Sequence, residues 1–318
     1  MTVKLSIIIL SWNTRELTLD TLRSIYANPP GVESEVVVVD NASSDGSADA
    51  IAERHPEVLL VRNEINSGYG PGNNIAFRRA SGDLLLLLGS DTRVGATTLD
   101  TLVRTIDEHP EAGCVTCRLE GPTGAPELNC MAFPTLLDGV TTYLSLRFLS
   151  RHARRRDFDF ERPQQVRQVS GTCVLVRREM IEQIGLFDEN YKIMYTDVEL
   201  CERIHESGYA IFYTPVTSLV HLGNQSCVQA TGRVRAQMYQ DTLRYFVSRF
   251  GRRAQLIMLP ILMARLCVVN RGRQVWRLLD PDVLVRTPAP DFGGTLAVGG
   301  GGPTHQPAAT DEVEPPRH

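Results

Sequence analysis

A chain of 318 residues, 42% of them hydrophobic, can bury a full core as one large α/β domain with appendages or as two modest domains. Its formal charge of −4 and pI near 6.0 exclude a global attraction for nucleic acid, so any polyanion contact must come from a local patch. Seven unevenly spaced cysteines, an odd number, read as reduced thiols rather than as a disulfide framework.

MTVKLSIIIL lacks the charged region, long apolar stretch and cleavage site of a secretory signal and runs straight into a strand pattern, so a cytoplasmic chain is the expectation. Short apolar runs then alternate with helix-period segments: LSIIIL and TRELTLDTLRSIY, EVVVVD and SADAIAERH, VLLV and the stretch ending IAFRRA, DLLLLL and TTLDTLVRTIDEH. That βαβα rhythm, with strands apolar on both faces, predicts a mostly parallel central sheet with helices on both sides. In such sheets ligands gather at the carboxyl ends of the strands, which points to Ser11, Trp12 and Asn13, Asp40 and Asn41, Asn63 and Asn66, and Ser90 and Asp91.

Cys114 and Cys117 form a C-x-x-C, but no second ligand pair follows at zinc spacing. From Glu120 to Arg167 the pattern weakens around Pro122, Pro126, Pro134 and Pro163 and carries seven arginines between Arg147 and Arg167. This reads as an acceptor-side insertion or a solvated charged loop, with a lipid or phosphate surface as the functional alternative for 147–167. A second structured block covers VSGTCVLVRREMIEQIGLFDENY, YTDVELCERIHESGYAIFYTP and VTSLVHLGNQS. Long helices are expected over 232–250 and 254–279. The apolar run Leu256 to Val269, broken by Pro260 and Arg265, falls short of the ~20 residues a spanning helix needs. Its arginines and Trp276 suit an interfacial helix over 256–279, and a helix packed on the main domain explains the same pattern. The expected divisions are a main domain over 1–228, a helical extension over 229–285 and a disordered Gly- and Pro-rich tail over 286–318.

Four residues carry chemistry. Asp40, ending EVVVVD, can accept the imide N–H of a uracil or thymine base, whereas Asp45 to Ser47 read as a turn and helix cap. Asp91 emerges from a buried strand, well placed for a hard divalent cation that grips a diphosphate, although Ser-Asp-Thr also makes turns. Thr196 and Glu199 have the spacing of a capping box, which sets Asp197 in a first turn, ionised as a general base must be. His221 follows an apolar run. One carboxylate, one imidazole and phosphate or water oxygens suit Mn2+ or Mg2+.

In this order LSIIILSWN, VVVVDNASSDGS, NEINSGYGPGNNIAF, LLLLLGSDT, SGTCVLVRREMIEQIGLFDENY, TDVELCERIHESGY and HLGNQS resemble the family 2 glycosyltransferases, above all a bacterial rhamnosyltransferase-like branch, over about residues 3 to 250. The resemblance implies the GT-A nucleotide-sugar transferase fold and an inverting transfer from a dTDP- or UDP-linked sugar to a glycan, lipid-linked or small-molecule acceptor. It casts Asp40 as the base-recognising acid, with Ser11, Trp12, Asn13, Asn41, Asn66, Gly68, Asn74 and Ser90 around the donor. Asp91 becomes the last acid of the D-x-D motif and a metal ligand with His221. Asp197 becomes the general base, with Thr172, Thr196 and Glu199 on the acceptor side. Two departures stand out: Gly89 where the family has Asp or Asn, and Thr196 where it has Glu. They leave a catalytically silent nucleotide-sugar or glycan binding protein as the alternative. A dinucleotide oxidoreductase, suggested by Gly68-Tyr69-Gly70-Pro71-Gly72, fits worse, because these glycines follow the third strand rather than the first. Nothing in the sequence decides between a monomer and a homodimer.

Overall fold

The apolar runs lie side by side, as their two-faced hydrophobicity requires. A computed structural model describes residues 3–145, 158–223, 232–269 and 275–279. At its centre β1 (Leu5–Ser11) is flanked in parallel by β2 (Ser34–Asp40) and β4 (Leu84–Gly89), with Ile8 level with both Val37 and Leu87, and β3 (Leu59–Arg62) continues beyond β2. Alternate residues of each strand go to opposite layers. Ile7, Ile9, Val38 and Leu86 pack with Leu19 and Leu22 of α1 (Arg15–Ala27), Ile51 of α2 (Ser47–Arg54) and Leu99 and Leu102 of α4 (Thr98–Glu108). Ile8, Val37 and Leu87 pack with Phe77 of α3 (Tyr69–Arg79), Met180 of α6 (Arg178–Ile184) and Ile204 of α7 (Thr196–Glu206). Strands covered on both faces are apolar through their middles, and their polar residues, such as Ser6, Glu35, Ser11 and Asp40, fall near their ends.

Beyond β4 the sheet is mixed. The strand order is β3-β2-β1-β4-β11-β6-β12-β5, where β5 is Thr92–Val94, β6 Ala112–Glu120, β11 Cys173–Arg177 and β12 Ala210–His221. β11 runs antiparallel to both β4 and β6, and β12 parallel to β6. A reversed β11 begins at the rim where β4 ends, and the Gly89 N–H accordingly donates to the Thr172 carbonyl at 2.9 Å. Short strands β7 (Pro126–Glu127), β8 (Cys130–Met131), β9 (Gln164–Val166) and β10 (Gln168–Val169) and helix α5 (Leu136–Tyr143) elaborate this end.

The two expected C-terminal helices are α8 (Gly232–Phe250) and α9 (Arg252–Val269), followed by a separate 3-10 turn at Val275–Leu279. Both share a third core cluster with Tyr191, Val198 and Tyr195 and with Leu136, Val140 and Tyr143 of α5. The extension set off at 229 is thus packed into the same body that carries residues 191–198. The basic run 147–156 and the expected disordered tail 286–318 lie outside the described residues.

Candidate active site at the carboxyl rim

Ser11 and Asp40 are register partners at the ends of β1 and β2, and the turn after each strand is tied to the other. Asn13, at φ 52, accepts the Ser44 N–H at its side-chain oxygen (2.8 Å), while its own N–H donates to Ser43 Oγ (2.9 Å). Asp45 accepts from the N–H groups of Arg15 and Ser47, the turn-making role read from sequence. Trp12 is half-buried beside them. Asp40 is 3% exposed, and its Oδ1 accepts the Ser43 N–H at 3.0 Å. Its Oδ2 is buried without a hydrogen-bond partner. A buried carboxylate oxygen left unpaired is costly, and a donor from a ligand at the rim would satisfy it.

Several residues expected to touch a donor are committed to the protein itself. Asn41 donates to Asn66 Oδ1 (3.0 Å) and the Gly68 carbonyl (3.2 Å) and accepts from Asn63 Nδ2 and the Ser67 N–H, so it staples the 63–68 loop to the rim. Asn74 exchanges both amide bonds with the Phe187 backbone. Gly68 has φ 95, and a Cβ there would lie 2.5 Å from the Lys192 carbonyl oxygen. The Ser11 hydroxyl meets Thr14 and Thr18, and Thr14 meets Ser90, a buried hydroxyl cluster that braces the strand ends from inside. The glycines at 70 and 72 face Tyr191, Thr196 and Leu10, packing contacts rather than a dinucleotide cradle. Cys114 and Cys117 fall in the core layers on opposite faces of the sheet, so the C-x-x-C does not converge.

Across the rim, Asp91 and His221 come together. β12 pairs β5 so that His221 is level with Thr92, and His221 Nε2 lies 3.6 Å from Asp91 Oδ2. The other ring nitrogen, Nδ1, is 2.7 Å from Oε2 of Glu127, a residue that sequence reasoning missed. Glu127 arrives through the β6–β7 hairpin, closed by a turn with Gly124 at φ 77; the G-P-T-G stretch was the available signal. The bond to Asp91 raises the His221 pKa most, burial opposes, and Glu127 adds to the rise, to about 9. Among the described residues no three His, Cys, Asp or Glu side chains gather to hold a metal. Asp91 and His221 nonetheless offer one oxygen and one nitrogen donor on one side, with the second imidazole nitrogen against a carboxylate, as metal-bound histidines commonly have it. That donor set suits a cation whose shell is completed by ligand phosphates and water. At Gly89 a Cβ would sit 3.0 Å from Asp91 Oδ1 and 3.1 Å from Thr92 Cγ2, so a side chain there would crowd the Asp91 carboxylate.

Asp197 lies in the first turn of α7, and its Oδ2 accepts the Gly171 N–H at 3.3 Å. Gly171 and Thr172 therefore bridge the two halves: one contacts Asp197, the other the end of β4 beside Asp91. The Tyr69 hydroxyl donates to the Gly171 carbonyl at 2.8 Å and fixes that bridge. The capping box expected at Thr196 and Glu199 is not formed. Tyr195, at φ 64, is the N-cap residue, Thr196 is the first helical residue and is 2% exposed, and Glu199 turns to Arg203 with bonds of 2.6 and 2.8 Å. Arg203 also holds the carbonyls of Ile184, Gly185 and Leu186, and this tertiary tie outweighs a local cap. Burial raises the Glu199 pKa and Arg203 works against it. The strained Tyr195 is held by stacking on Tyr245, with ring centroids 4.5 Å apart, and α8 reaches further still. Asp241, fully buried, accepts the backbone N–H groups of Lys192, Ile193 and Met194 at 3.2, 2.7 and 3.0 Å on a single oxygen.

The model of the family described as glycosyl transferase family 2 matches residues 6–185. An N-acetylglucosaminyl-diphospho-decaprenol L-rhamnosyltransferase of Mycobacterium tuberculosis is 28% identical over 203 residues, 58% of this chain and 66% of that protein. The O-antigen biosynthesis protein RfbC of Myxococcus xanthus is 30% identical over 226 residues, 69% of this chain but 17% of its own length. The match thus spans just under two thirds of the mycobacterial relative and a small part of the myxococcal one. In three dimensions a mannosyltransferase from Pyrobaculum calidifontis, solved with GDP-Man and Mn2+, superposes with a TM-score of 0.53 at 19% identity, covering 87% of this chain and 76% of that one, a likeness of fold. With the family model spanning more than half of its length and that sheet order beneath it, this chain belongs to glycosyl transferase family 2, on the GT-A fold.

Proposed function

We propose that the chain transfers a sugar from a nucleoside diphosphate donor to an acceptor hydroxyl, with inversion at the anomeric carbon, in the assembly of a cell-surface glycan. The observation that carries this reading is the bridge at Gly171 and Thr172, which joins the Asp197 carboxylate to the strand end beside Asp91 and His221. A transferase needs both ends within one substrate's length: a grip on the departing diphosphate and a base for the incoming hydroxyl.

Asp40 Oδ2, buried and unpartnered, is suited to the imide N–H of uracil or thymine, which makes UDP- and dTDP-linked sugars the donors to test first. The loop that Asn41 staples, with Trp12 and Asn13, walls the nucleoside. Asp91 and His221 would hold Mn2+ or Mg2+, and Glu127 keeps the imidazole turned toward Asp91. Bound there, the cation balances the charge that grows on the leaving diphosphate. Asp197 takes the proton from the acceptor hydroxyl as that oxygen attacks, and Thr172 and Thr196 flank it. Glu199, occupied by Arg203, is left a structural role. The mycobacterial relative is named for L-rhamnose and a diphospho-decaprenol acceptor, so rhamnose and a diphospho-polyprenol head the trial list. The Pyrobaculum neighbour was solved with Mn2+, which supports that cation first.

A screen of UDP-, dTDP- and GDP-linked sugars for released nucleoside diphosphate, with Mn2+ and with chelator, tests the proposal. Metal-dependent release with one donor class, stimulated by acceptor, is expected. No release across the panel, with nucleotide still bound, would favour the silent binding protein.

A further inference from the structure

Beyond its first turn the outward side of α9 is apolar where a surface helix should be polar. Ala254, Met258, Leu262 and Leu266, each fully buried, form the inner stripe that packs into the third core cluster. On the opposite side Leu256 is 78% exposed, Ile257 42% and Val268 76%. At about 100° per residue, Pro260, Ala264 and Cys267, also exposed, fall in the same outward band. A helix apolar all round belongs in a core or against an apolar medium, and among the described residues nothing covers this side. The exposed charges on the helix are Arg252, Arg253 and Arg265, and the sequence from 252 to 279 contains no Asp or Glu, in a chain whose net charge is −4. Arg252 and Arg265 flank the band, and Arg253 falls within it at the helix's first turn.

We propose that this face of α9 rests on an anionic lipid surface, its apolar band in the acyl boundary and its arginines at the headgroups. The charge pattern disfavours a second copy of the chain as the occupant. A twofold contact would set one arginine-bearing, acid-free face against another. No helix among the described residues is long and apolar enough to cross a membrane, so α9 would lie along the surface. The third core cluster ties α9 to Tyr195 and Val198, on either side of Asp197, so a docked α9 would bring the acceptor side of the rim close to the lipid. The binding itself does not depend on sugar transfer.

The test is flotation of the full chain with vesicles of phosphatidylglycerol or of phosphatidylcholine. Partition onto the anionic vesicles at least about tenfold stronger than onto the zwitterionic ones, and weakened by salt, is expected. Leu256→Gln with Val268→Gln should weaken it, and Arg252→Ser with Arg253→Ser and Arg265→Ser should weaken it by roughly fivefold per arginine. These side chains are exposed, so the thermal midpoint and nucleotide release in vesicle-free solution should stay as in the wild type, which separates failure here from failure of the transfer reading. Absence of partition onto phosphatidylglycerol, partition unchanged in both variants, or a dimer in sedimentation velocity that Leu256→Gln dissolves would each overturn the proposal.

Discussion

His221 Nδ1 lies 2.7 Å from Glu127 Oε2, and the opposite ring nitrogen faces Asp91. Glu127 thereby sets the orientation of the imidazole that, with Asp91, would hold a cation. Glu127→Gln should weaken Mn2+ binding by roughly 10–100-fold, the usual cost of losing such a partner. Calorimetric titration of Mn2+ into the protein with nucleoside diphosphate measures it, and affinity equal to wild type would remove Glu127 from the site.

Asp40 offers its free Oδ2 to a base. Asp40→Asn turns an ionised acceptor into a neutral amide, and loss of a hydrogen bond to a charged group costs about 1.5–3 kcal/mol. The Kd for UDP or dTDP should rise by a factor on the order of ten to a hundred on that basis, read by equilibrium titration without metal.

Asp241 holds three consecutive N–H groups just ahead of Tyr195. Burial raises its pKa against those bonds. Asp241→Ala strands three donors in the interior and should cost on the order of 3 kcal/mol or more in urea unfolding. Where the variant remains folded, kcat should fall while nucleotide Kd holds, because the loop ahead of Asp197 loosens and the Asp40 turn does not.

Glu35, near the start of β2, supports the amino-terminal rim of the sheet, opposite the candidate site. Burial would raise its carboxyl, but bonds from Ser6, Ser81 and Gly82 outweigh it and the pKa is lowered from 4.5. A depressed folded pKa gives stability that is full above the unfolded value and is lost as pH falls through the folded one. The wild type should therefore exceed Glu35→Gln in unfolding midpoint above about pH 5, with the gap closing as pH falls below 4.5.

Strands covered on both faces had to be written as IIIL, VVVV and LLLLL, and for that reason the sheet, its helices and its polar carboxyl rim were legible in the sequence. Asp40 and His221 were legible as the first polar residues after apolar runs, and Asp91 as the first acid after one. Glu127 and Asp241 were not, because each reaches its place through a hairpin or a distant helix, and no local period encodes that route. At Thr196 and Glu199 the local pattern misled, since Arg203 offered Glu199 a stronger partner three-dimensionally than the helix end did. Ser11 and Ser90 were rightly placed at strand ends, yet their hydroxyls turn inward to Thr14 and Thr18, a choice of side-chain direction that spacing does not carry.

Asp197 as the base is tested most directly by comparing nucleotide release in the wild type and Asp197→Asn with the active donor, an acceptor and Mn2+. The rate should fall by roughly 10²–10⁴-fold with nucleotide affinity intact. Release by Asp197→Asn at the wild-type rate would contradict the account.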